Sequence, residues 1–433
     1  MHDTRNFTIL AMITMTFALT MVMVLPIVPL WASSLGASEF QVGLLVALPP
    51  FTSLIFSIPI ASCSAYLGLE RLMRLAFVVG ILSGGLFALA TSPAMLIVPQ
   101  LGFGLALSLY MPQMISYYYH ISSTDDRQAM QGYNTTFQGI GALTGPLLAG
   151  LVGQYLGLIW IFVLYGALSL IGYLLCRSLR PVKRAQTNQP LKEVVFTSYR
   201  EALTLLRSKK ALRVALFFGF LMVVLWQGLG NTIFPLFIEA RYVAVTMLLG
   251  VLIALREFGA LAARLFFAYL CRFASLYTIL SGSIGLMIIA NLVIPSVFHP
   301  VALGLACLLL GLGLGSMAPG MNLLALDSVT LRQGPLAMAT SGLFIRLGLM
   351  ISAPILGGMA GTIGFPMTFY ITALVCLITL IIFVRWKLWP PWAPGPAAST
   401  ATQSPPTVGL KTTGASKTCS NTHSRDSRRN HRL

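Results

Sequence analysis

The chain has 433 residues, of which 57% are hydrophobic and only 9% are charged. A soluble globular protein carries about 25% charged residues, so this composition excludes a soluble enzyme, a nucleic-acid-binding protein and a secreted disulfide-rich domain. The formal net charge of +17 therefore needs an explanation other than nucleic acid. The six cysteines occur singly, without the spacing of a metal site.

Twelve apolar stretches are each long enough to cross the bilayer core, which is about 30 Å thick and takes about 20 helical residues. Because the apolar runs are continuous rather than alternating, they predict helices and not a β-barrel. We therefore predict an all-α membrane protein with twelve transmembrane helices, called spans 1 to 12, and no cleaved signal peptide. The predicted spans are 7–31, 41–66, 72–91, 93–118, 130–152, 156–178, 211–238, 245–268, 274–294, 300–325, 335–359 and 364–386.

The basic residues predict the topology of these spans. If both termini are cytoplasmic, cytoplasmic segments and span ends hold nearly all of the 28 Lys and Arg residues. Arg241 alone falls outside, while Arg256 and Arg346 lie deep within spans. This distribution satisfies the positive-inside rule. We expect a multi-pass protein of the inner (cytoplasmic) membrane with both termini in the cytoplasm.

The charge and composition shifts divide the chain into four segments. Residues 1–180 and 211–390 are each predicted to form a six-helix bundle. Between them, residues 181–210 are predicted to form a charged cytoplasmic linker with a short amphipathic helix at the membrane surface. Residues 391–433 are rich in Pro, Ser, Thr and basic residues, which predicts a disordered cytoplasmic tail.

The two bundles repeat each other at an offset of about 207 residues. Helix-interrupting residues recur at matching depth in both halves, which is typical of transporters built from two repeats. We therefore expect two pseudo-symmetric bundles with a substrate site between them near the bilayer midplane. The matching pairs are Pro29 and Pro235, Gly43 and Gly250, Pro112 and Pro319, and Pro146 and Pro354.

A small-residue pattern in span 5 carries a family resemblance. Its members are Gly132, Gly141, Gly145, Pro146 and Gly150. The pattern resembles the fifth-helix signature of the drug:proton antiporters of the major facilitator superfamily. Pro26 and Pro29 are similar to the first-helix element of its twelve-span members. The resemblance implies the major facilitator fold, transport by alternating access and export in exchange for protons.

Two departures from the family pattern limit what the resemblance implies. The loop after span 2 has Ala65 where the family has an acidic residue, so the usual charge interaction with a neighbouring helix is missing. Gln100 stands near the start of span 4, where the family has an arginine. The resemblance therefore speaks for the fold more than for the way protons are coupled.

Three charged residues lie deep within the predicted spans. Glu257 is the only acidic residue there, and Arg256 and Arg346 accompany it. A charge at the bilayer centre costs about 2.5–3.5 kcal/mol, so we expect these side chains to face each other or a water-filled cavity. Either arginine is a suitable partner for Glu257. We interpret Glu257 as the proton carrier and the arginines as the substrate site for an anionic or zwitterionic solute. The alternative is an ion pair that only fixes helix register.

Further candidates for the transport pathway come from the spans that line it in the family. Each of these polar or aromatic side chains is equally suited to helix packing. They are Thr20, Tyr110, Gln113, Tyr117, Trp226, Gln227, Asn231, Ser316 and Asn322, with Asn134 and Gln138 added from span 5. Gln138 corresponds to Arg346 by the repeat offset.

These features favour a secondary transporter that exports a small metabolite, siderophore or drug with proton coupling. The alternatives are an uptake symporter or facilitator of the same fold and, in a different class, a non-transporting membrane receptor. An enzyme is disfavoured because no nucleophile–base pair or metal cluster is visible at the midplane. A phosphate-binding loop for ATP is absent from the sequence. We expect no cofactor, no metal and no nucleic-acid partner, and we expect a monomer in the lipid bilayer.

Overall fold

A computed structural model describes residues 4–121, 127–181, 204, 206–207, 209–242, 245–329 and 333–388. Within these ranges all the long elements are helices, and twelve of them, counted as spans, are long and apolar enough to cross a membrane. The predicted all-α architecture and the number of spans are thereby confirmed. The predicted amphipathic helix of the linker and the tail 391–433 lie outside the described residues.

The first half contains spans 1 to 6. They are Thr4–Val24 with Ile27–Ser34, Glu39–Leu67, Leu69–Ala88, Ile97–Ile121, Arg127–Tyr155 and Leu158–Arg177. The second half contains spans 7 to 12, of which span 7 is built from two α-helices joined by a π-helical turn. They are Lys210–Gly228 with Leu229–Ile233 and Phe234–Arg241, Val245–Phe273, Leu276–Ser296, Pro300–Asp327, Gly334–Ile363 and Phe365–Leu388.

Local sequence explains several of the helix ends. Ser38 and Gln41 form a reciprocal capping box at the start of span 2, with the Ser38 amide donating to the Gln41 side chain over 2.9 Å. Gly157 and Gly364 have positive φ angles of 98° and 82° at the turns between spans 5 and 6 and between spans 11 and 12. Glycine adopts this conformation without steric cost. The two turns lie at equivalent places in the two halves.

The helix packing of the first half recurs in the second. Span 1 packs on span 5, span 2 on span 4, and span 3 on spans 4 and 6. Correspondingly, span 7 packs on span 11, span 8 on span 10, and span 9 on spans 10 and 12. The most extensive contacts between the halves are two equivalent ones, span 2 with span 11 and span 5 with span 8. The packing therefore has the pseudo-twofold symmetry that the sequence repeat predicts.

Glycines permit the close contacts between the halves. A methyl group at Gly43 of span 2 would overlap the carbonyl oxygen of Ala353 in span 11. In the equivalent contact, a methyl group at Gly250 of span 8 would lie 2.5 Å from the carbonyl oxygen of Pro146 in span 5. Small residues let helix backbones approach this closely in membranes. Two of the four predicted pairs, Gly43 with Gly250 and Pro146 with Pro354, thus lie at the interface between the halves.

The far side of the protein is closed by spans 1 and 7. We call the side where span 1 begins and span 12 ends the terminal side, and the opposite side the far side. Span 1 breaks around Pro26, and its second helix, Ile27–Ser34, packs against Phe234–Arg241 of span 7. The structure therefore has its two halves in contact on the far side.

The span 5 glycines differ in what surrounds them. A methyl group at Gly145 would lie 2.6 Å from the Leu19 carbonyl oxygen of span 1, and one at Gly141 would overlap the Met15 carbonyl oxygen. Gly150 approaches the backbone of span 8 instead. A methyl group at Gly132 would have no described atom within 4 Å. The signature thus holds span 5 between spans 1 and 8, with Gly132 outside both contacts.

We predict that Gly145→Ala lowers the thermal unfolding temperature of the purified protein in detergent. Overpacking costs about 1–3 kcal/mol, which exceeds the gain of about 1 kcal/mol from replacing a helical glycine by alanine. The matched control Gly132→Ala, which meets no neighbour among the described residues, retains or raises the unfolding temperature. Equal effects of the two substitutions would contradict the assigned packing.

Candidate functional site

An ion pair lies in the middle of span 8. The Arg256 guanidinium donates through Nη2 to Oε1 of Glu257 over 2.9 Å. The two side chains are only 5% and 14% exposed. A charge of either sign is costly at this depth, and pairing within the protein lowers the cost. Of the two partners that the sequence allows for Glu257, the structure shows Arg256.

Arg256 also bonds to the π-helical turn of span 7. Its Nη1 donates to the Gly230 carbonyl oxygen over 2.9 Å, and its Nη2 donates to Oδ1 of Asn231 over 3.1 Å. Such π-turns occur frequently at functional sites. Arg256 therefore connects span 8 to the irregular part of span 7.

The sequence of span 7 explains why its turn needs an outside donor. The Phe234 amide bonds to the Leu229 carbonyl, one residue further back than in an α-helix. The next residue, Pro235, has no amide hydrogen to offer the Gly230 carbonyl. Because an unbonded carbonyl costs several kcal/mol in a membrane, the Arg256 side chain stabilises this backbone geometry.

Glu257 lies on the side of span 8 that faces the other half. Gly250 contacts Pro146 of span 5, and Leu261 contacts Gly139 of the same span. Glu257 stands seven residues after Gly250 and four before Leu261, so the three share one helical stripe. Glu257 therefore lies on the face of span 8 that packs against span 5, and its carboxylate pairs with Arg256.

Arg346 occupies a separate place, a central cavity between the two halves. The cavity has a volume of about 430 Å³ and is lined by spans 1, 2 and 4 of the first half and by span 11 of the second. Arg346 donates through Nε to the Ser53 hydroxyl over 3.1 Å. Among the described residues that line the cavity, Arg346 is the only charged one. The volume is within the usual range of small-molecule sites.

The three charged residues that lie deep within the spans do not all line this cavity. Arg346 lines it, but Arg256 and Glu257 do not. Helix packing is the reason, because span 11 packs against spans 2 and 7, whereas span 8 packs against spans 5 and 10. The charges form two sites, a central cation and an ion pair at the span 5–span 8 contact.

Several other predicted residues lie inside the first bundle. Tyr110 is 1% exposed, stacks on Phe17 with ring centroids 3.8 Å apart, and donates to Thr14 over 3.3 Å. The Thr20 hydroxyl bonds to the Phe17 carbonyl. The Tyr117 hydroxyl bonds to the Arg180 carbonyl over 2.8 Å. These contacts are structural, and none of the three predicted residues lines the central cavity.

The remaining predicted residues are divided among packing, a second cavity and undescribed side chains. Gln113 is buried and bonds to the Ile60 carbonyl, Asn134 accepts a bond from Gln138 in the same span, and Ser316 is buried in span 10. Asn322 lines a smaller cavity of about 120 Å³ in the second half. Trp226 and Gln227 belong to span 7, but their side chains lie outside the described part of the structure.

Three polar residues that line the central cavity, Ser53, Gln100 and Ser352, are absent from the predicted set. Ser53 of span 2 and Gln100 of span 4 are 6% and 3% exposed and both line the cavity. Pro49 and Pro50, which precede Ser53 and also line the cavity, are the sequence feature that marks this place. Consecutive prolines inside a span interrupt the helix, and such interruptions indicate binding sites in transporters.

Comparisons with known proteins agree with this architecture. A model of the Major Facilitator Superfamily matches residues 10–333 and 231–418. The "Multi-drug resistance efflux pump PmrA homolog" of Lactococcus lactis is 26% identical over 370 residues, covering 82% of this chain and 88% of that protein. The PmrA pump of Streptococcus pneumoniae serotype 4 is also 26% identical over 370 residues, covering 81% and 88%. The crystal structure of the nucleoside transporter NupG superposes with a TM-score of 0.75 at 14% identity, covering 89% of this chain and 100% of that one.

We predict that Arg256→Gln lowers stability by about 3 kcal/mol, because removing one partner of a buried pair leaves the other charge uncompensated. The double variant Arg256→Gln with Glu257→Gln loses less stability than the two single variants predict by addition. A double-mutant cycle of unfolding free energies in detergent measures this coupling. Additive losses would mean that the pair contributes no interaction energy.

Proposed function

Because the chain belongs to the Major Facilitator Superfamily, we propose that it is a secondary transporter that exports a small molecule across the inner membrane in exchange for protons. The relatives in Lactococcus lactis and Streptococcus pneumoniae are named as multidrug efflux pumps, which supports export. Alternating access is supported by two symmetric halves that meet through two equivalent helix contacts. The ion pair at one of these contacts carries the proposal of proton coupling.

Glu257 is the residue that we assign to the proton. It is the only carboxylate among the chain's 11 acidic residues that lies deep inside a span. The carboxylate is 14% exposed and its neighbour Arg256 is 5% exposed, so binding a proton changes the charge of a nearly buried pair. In such surroundings the electrostatic effect of one proton is much larger than in water.

The π-turn links the protonation of Glu257 to the position of the helix that follows the turn. When Glu257 is ionised, its charge holds the Arg256 guanidinium, which in turn holds the Gly230 carbonyl and Asn231. When Glu257 is protonated, the ion pair is lost and this arrangement is weakened. The turn continues directly into Phe234–Arg241, the helix that closes the far side. Ionised Glu257 therefore favours the closed far side, and protonation favours its opening.

This dependence of far-side closure on the charge of Glu257 fits proton-driven export. Opening on the far side exposes the carried molecule to the outside, and Glu257 takes up its proton there. The return to the closed far side restores the pair with Arg256 and releases the proton toward the terminal side. A two-state element biased by both ligands is sufficient for coupling between separate sites.

The central cavity favours an anionic or zwitterionic substrate, such as a carboxylate metabolite, a siderophore or an acidic drug. Arg346 gives the lining a positive charge, and a guanidinium binds carboxylate and phosphate groups strongly. The substrate and the proton then bind at different residues, so they exchange through the conformation of the protein rather than by competing for Glu257.

We predict that everted membrane vesicles containing the protein accumulate naphthalene-1-sulfonate when an inside-acid gradient is imposed. This probe stays ionised at every pH used, so it does not distribute passively as a weak acid. Glu257→Gln abolishes the response to the gradient because the side chain no longer releases a proton. The control Asp327→Asn, at the exposed end of span 10, retains the response.

Other outcomes of this experiment select among the alternatives. Unchanged gradient dependence in Glu257→Gln would exclude Glu257 as the proton carrier. Uptake driven in the opposite direction would support a symporter of the same fold. A clear preference for a quaternary naphthylmethylammonium would remove the anionic substrate.

A further inference from the structure

We infer that the substrate is an amphipathic anion, whose charged group binds at Arg346 and whose apolar part enters a neighbouring pocket. This inference rests on the proposed function, because it names the class of molecule that the transporter carries. It depends on the second cavity, which the mechanism above does not use.

The second cavity is an apolar pocket rich in methionine. It has a volume of about 120 Å³ and lies among spans 7, 9, 10 and 11. Four methionines line it: Met222, Met287, Met317 and Met321. Methionine side chains are flexible and polarizable, so they adapt to apolar groups of different shapes. The pocket lies toward the terminal side of the second half, and we call it the methionine pocket.

Span 11 borders both the methionine pocket and the central cavity. Ile345 lines both, and its neighbour Arg346 lines the central cavity. One turn earlier, Ser341 lines the methionine pocket and Gly342 lines the central cavity. A single helix turn therefore presents a cation to one cavity and an apolar side chain to both. A molecule that binds across this turn has one charged end and one apolar end.

The charge of the central cavity determines the sign of the charged end. Arg346 is the only charge among the described residues that line either cavity. The Ser53 hydroxyl and the buried amide of Gln100 supply neutral polar groups beside it. A cation would meet a like charge without a nearby carboxylate in the described lining, whereas an anion forms a charge-assisted hydrogen bond.

Gly219 is a position at which a side chain can be added to the lining of the methionine pocket. It lines the pocket, and a methyl group added there would have no described atom within 4 Å. Gly219→Leu should therefore place its side chain into the empty space. A methyl group at Gly282 of span 9 would also have no described atom within 4 Å, and Gly282 is exposed and does not line the pocket. Gly282→Leu is thus a matched control.

The test measures binding of the alkanesulfonates from ethane- to octanesulfonate to the purified protein in detergent, by ligand-dependent thermal stabilisation. For the wild type and Gly282→Leu, affinity should rise by up to about four-fold per CH2 group, which corresponds to about 0.8 kcal/mol for each buried CH2. Gly219→Leu should remove most of this rise while leaving ethanesulfonate unaffected. Arg346→Gln should lower every affinity by a similar factor, about ten-fold or more.

Partition into micelles is common to all variants, so the difference between Gly219→Leu and Gly282→Leu reports the pocket. The inference would be overturned if the affinity rose equally with alkyl chain length in these two variants. Tighter binding of octyltrimethylammonium than of octanesulfonate would also overturn it. Because binding in detergent needs no proton gradient, the test separates two failures. Chain-length-dependent binding without gradient-driven transport contradicts only the proposed function, and transport without that binding contradicts only this inference.

Discussion

A backbone carbonyl without a helical donor is costly inside a bilayer, and in this protein an arginine satisfies it. Pro235 removes the amide that the Gly230 carbonyl would use, and the π-turn moves the preceding amide to Leu229. Arg256 supplies the hydrogen bond from span 8, and Glu257 balances its charge. The Gly230 carbonyl therefore depends on Arg256, and Arg256 depends on Glu257, since water is not available in hydrocarbon. The ionisation of one carboxylate is thereby linked to the backbone of the helix that closes the far side.

The two halves share their packing but not their chemistry. Span 1 is interrupted near Pro26 at the place where span 7 has its π-turn, and Pro29 corresponds to Pro235. The equivalent contacts between the halves are likewise made by glycines against backbone. Among the described residues, only the second half places a titratable ion pair beside its interrupted first span. Symmetry therefore provides the two alternating arrangements, and a local asymmetry provides a way for protons to bias them.

The sequence predicts the architecture, but it does not predict which of the candidate residues come together at the site. Spans and repeat follow from composition and from recurring Pro and Gly, which are properties of each segment by itself. The partner of Arg346 depends on which helices are neighbours and how each is rotated, and single-sequence patterns do not contain this information. The sequence does not single out the Ser53 hydroxyl, because buried serines are common in transmembrane helices. Tyr110 is a candidate because span 4 lines the pathway in the family that the sequence resembles, but its side chain is buried against Phe17 inside its own bundle.

The central claim is that the charge of Glu257 controls closure of the far side. Spin labels at Ser34→Cys and Ala240→Cys, both exposed at the far ends of spans 1 and 7, report the separation of the halves by pulsed electron paramagnetic resonance in nanodiscs. In the protein with native Glu257, the long-distance population should grow as the pH is lowered, because a proton on Glu257 removes its ion pair with Arg256. In Glu257→Gln that population should already be high at neutral pH. A Glu257→Gln protein that responds to pH like its native counterpart would contradict the account.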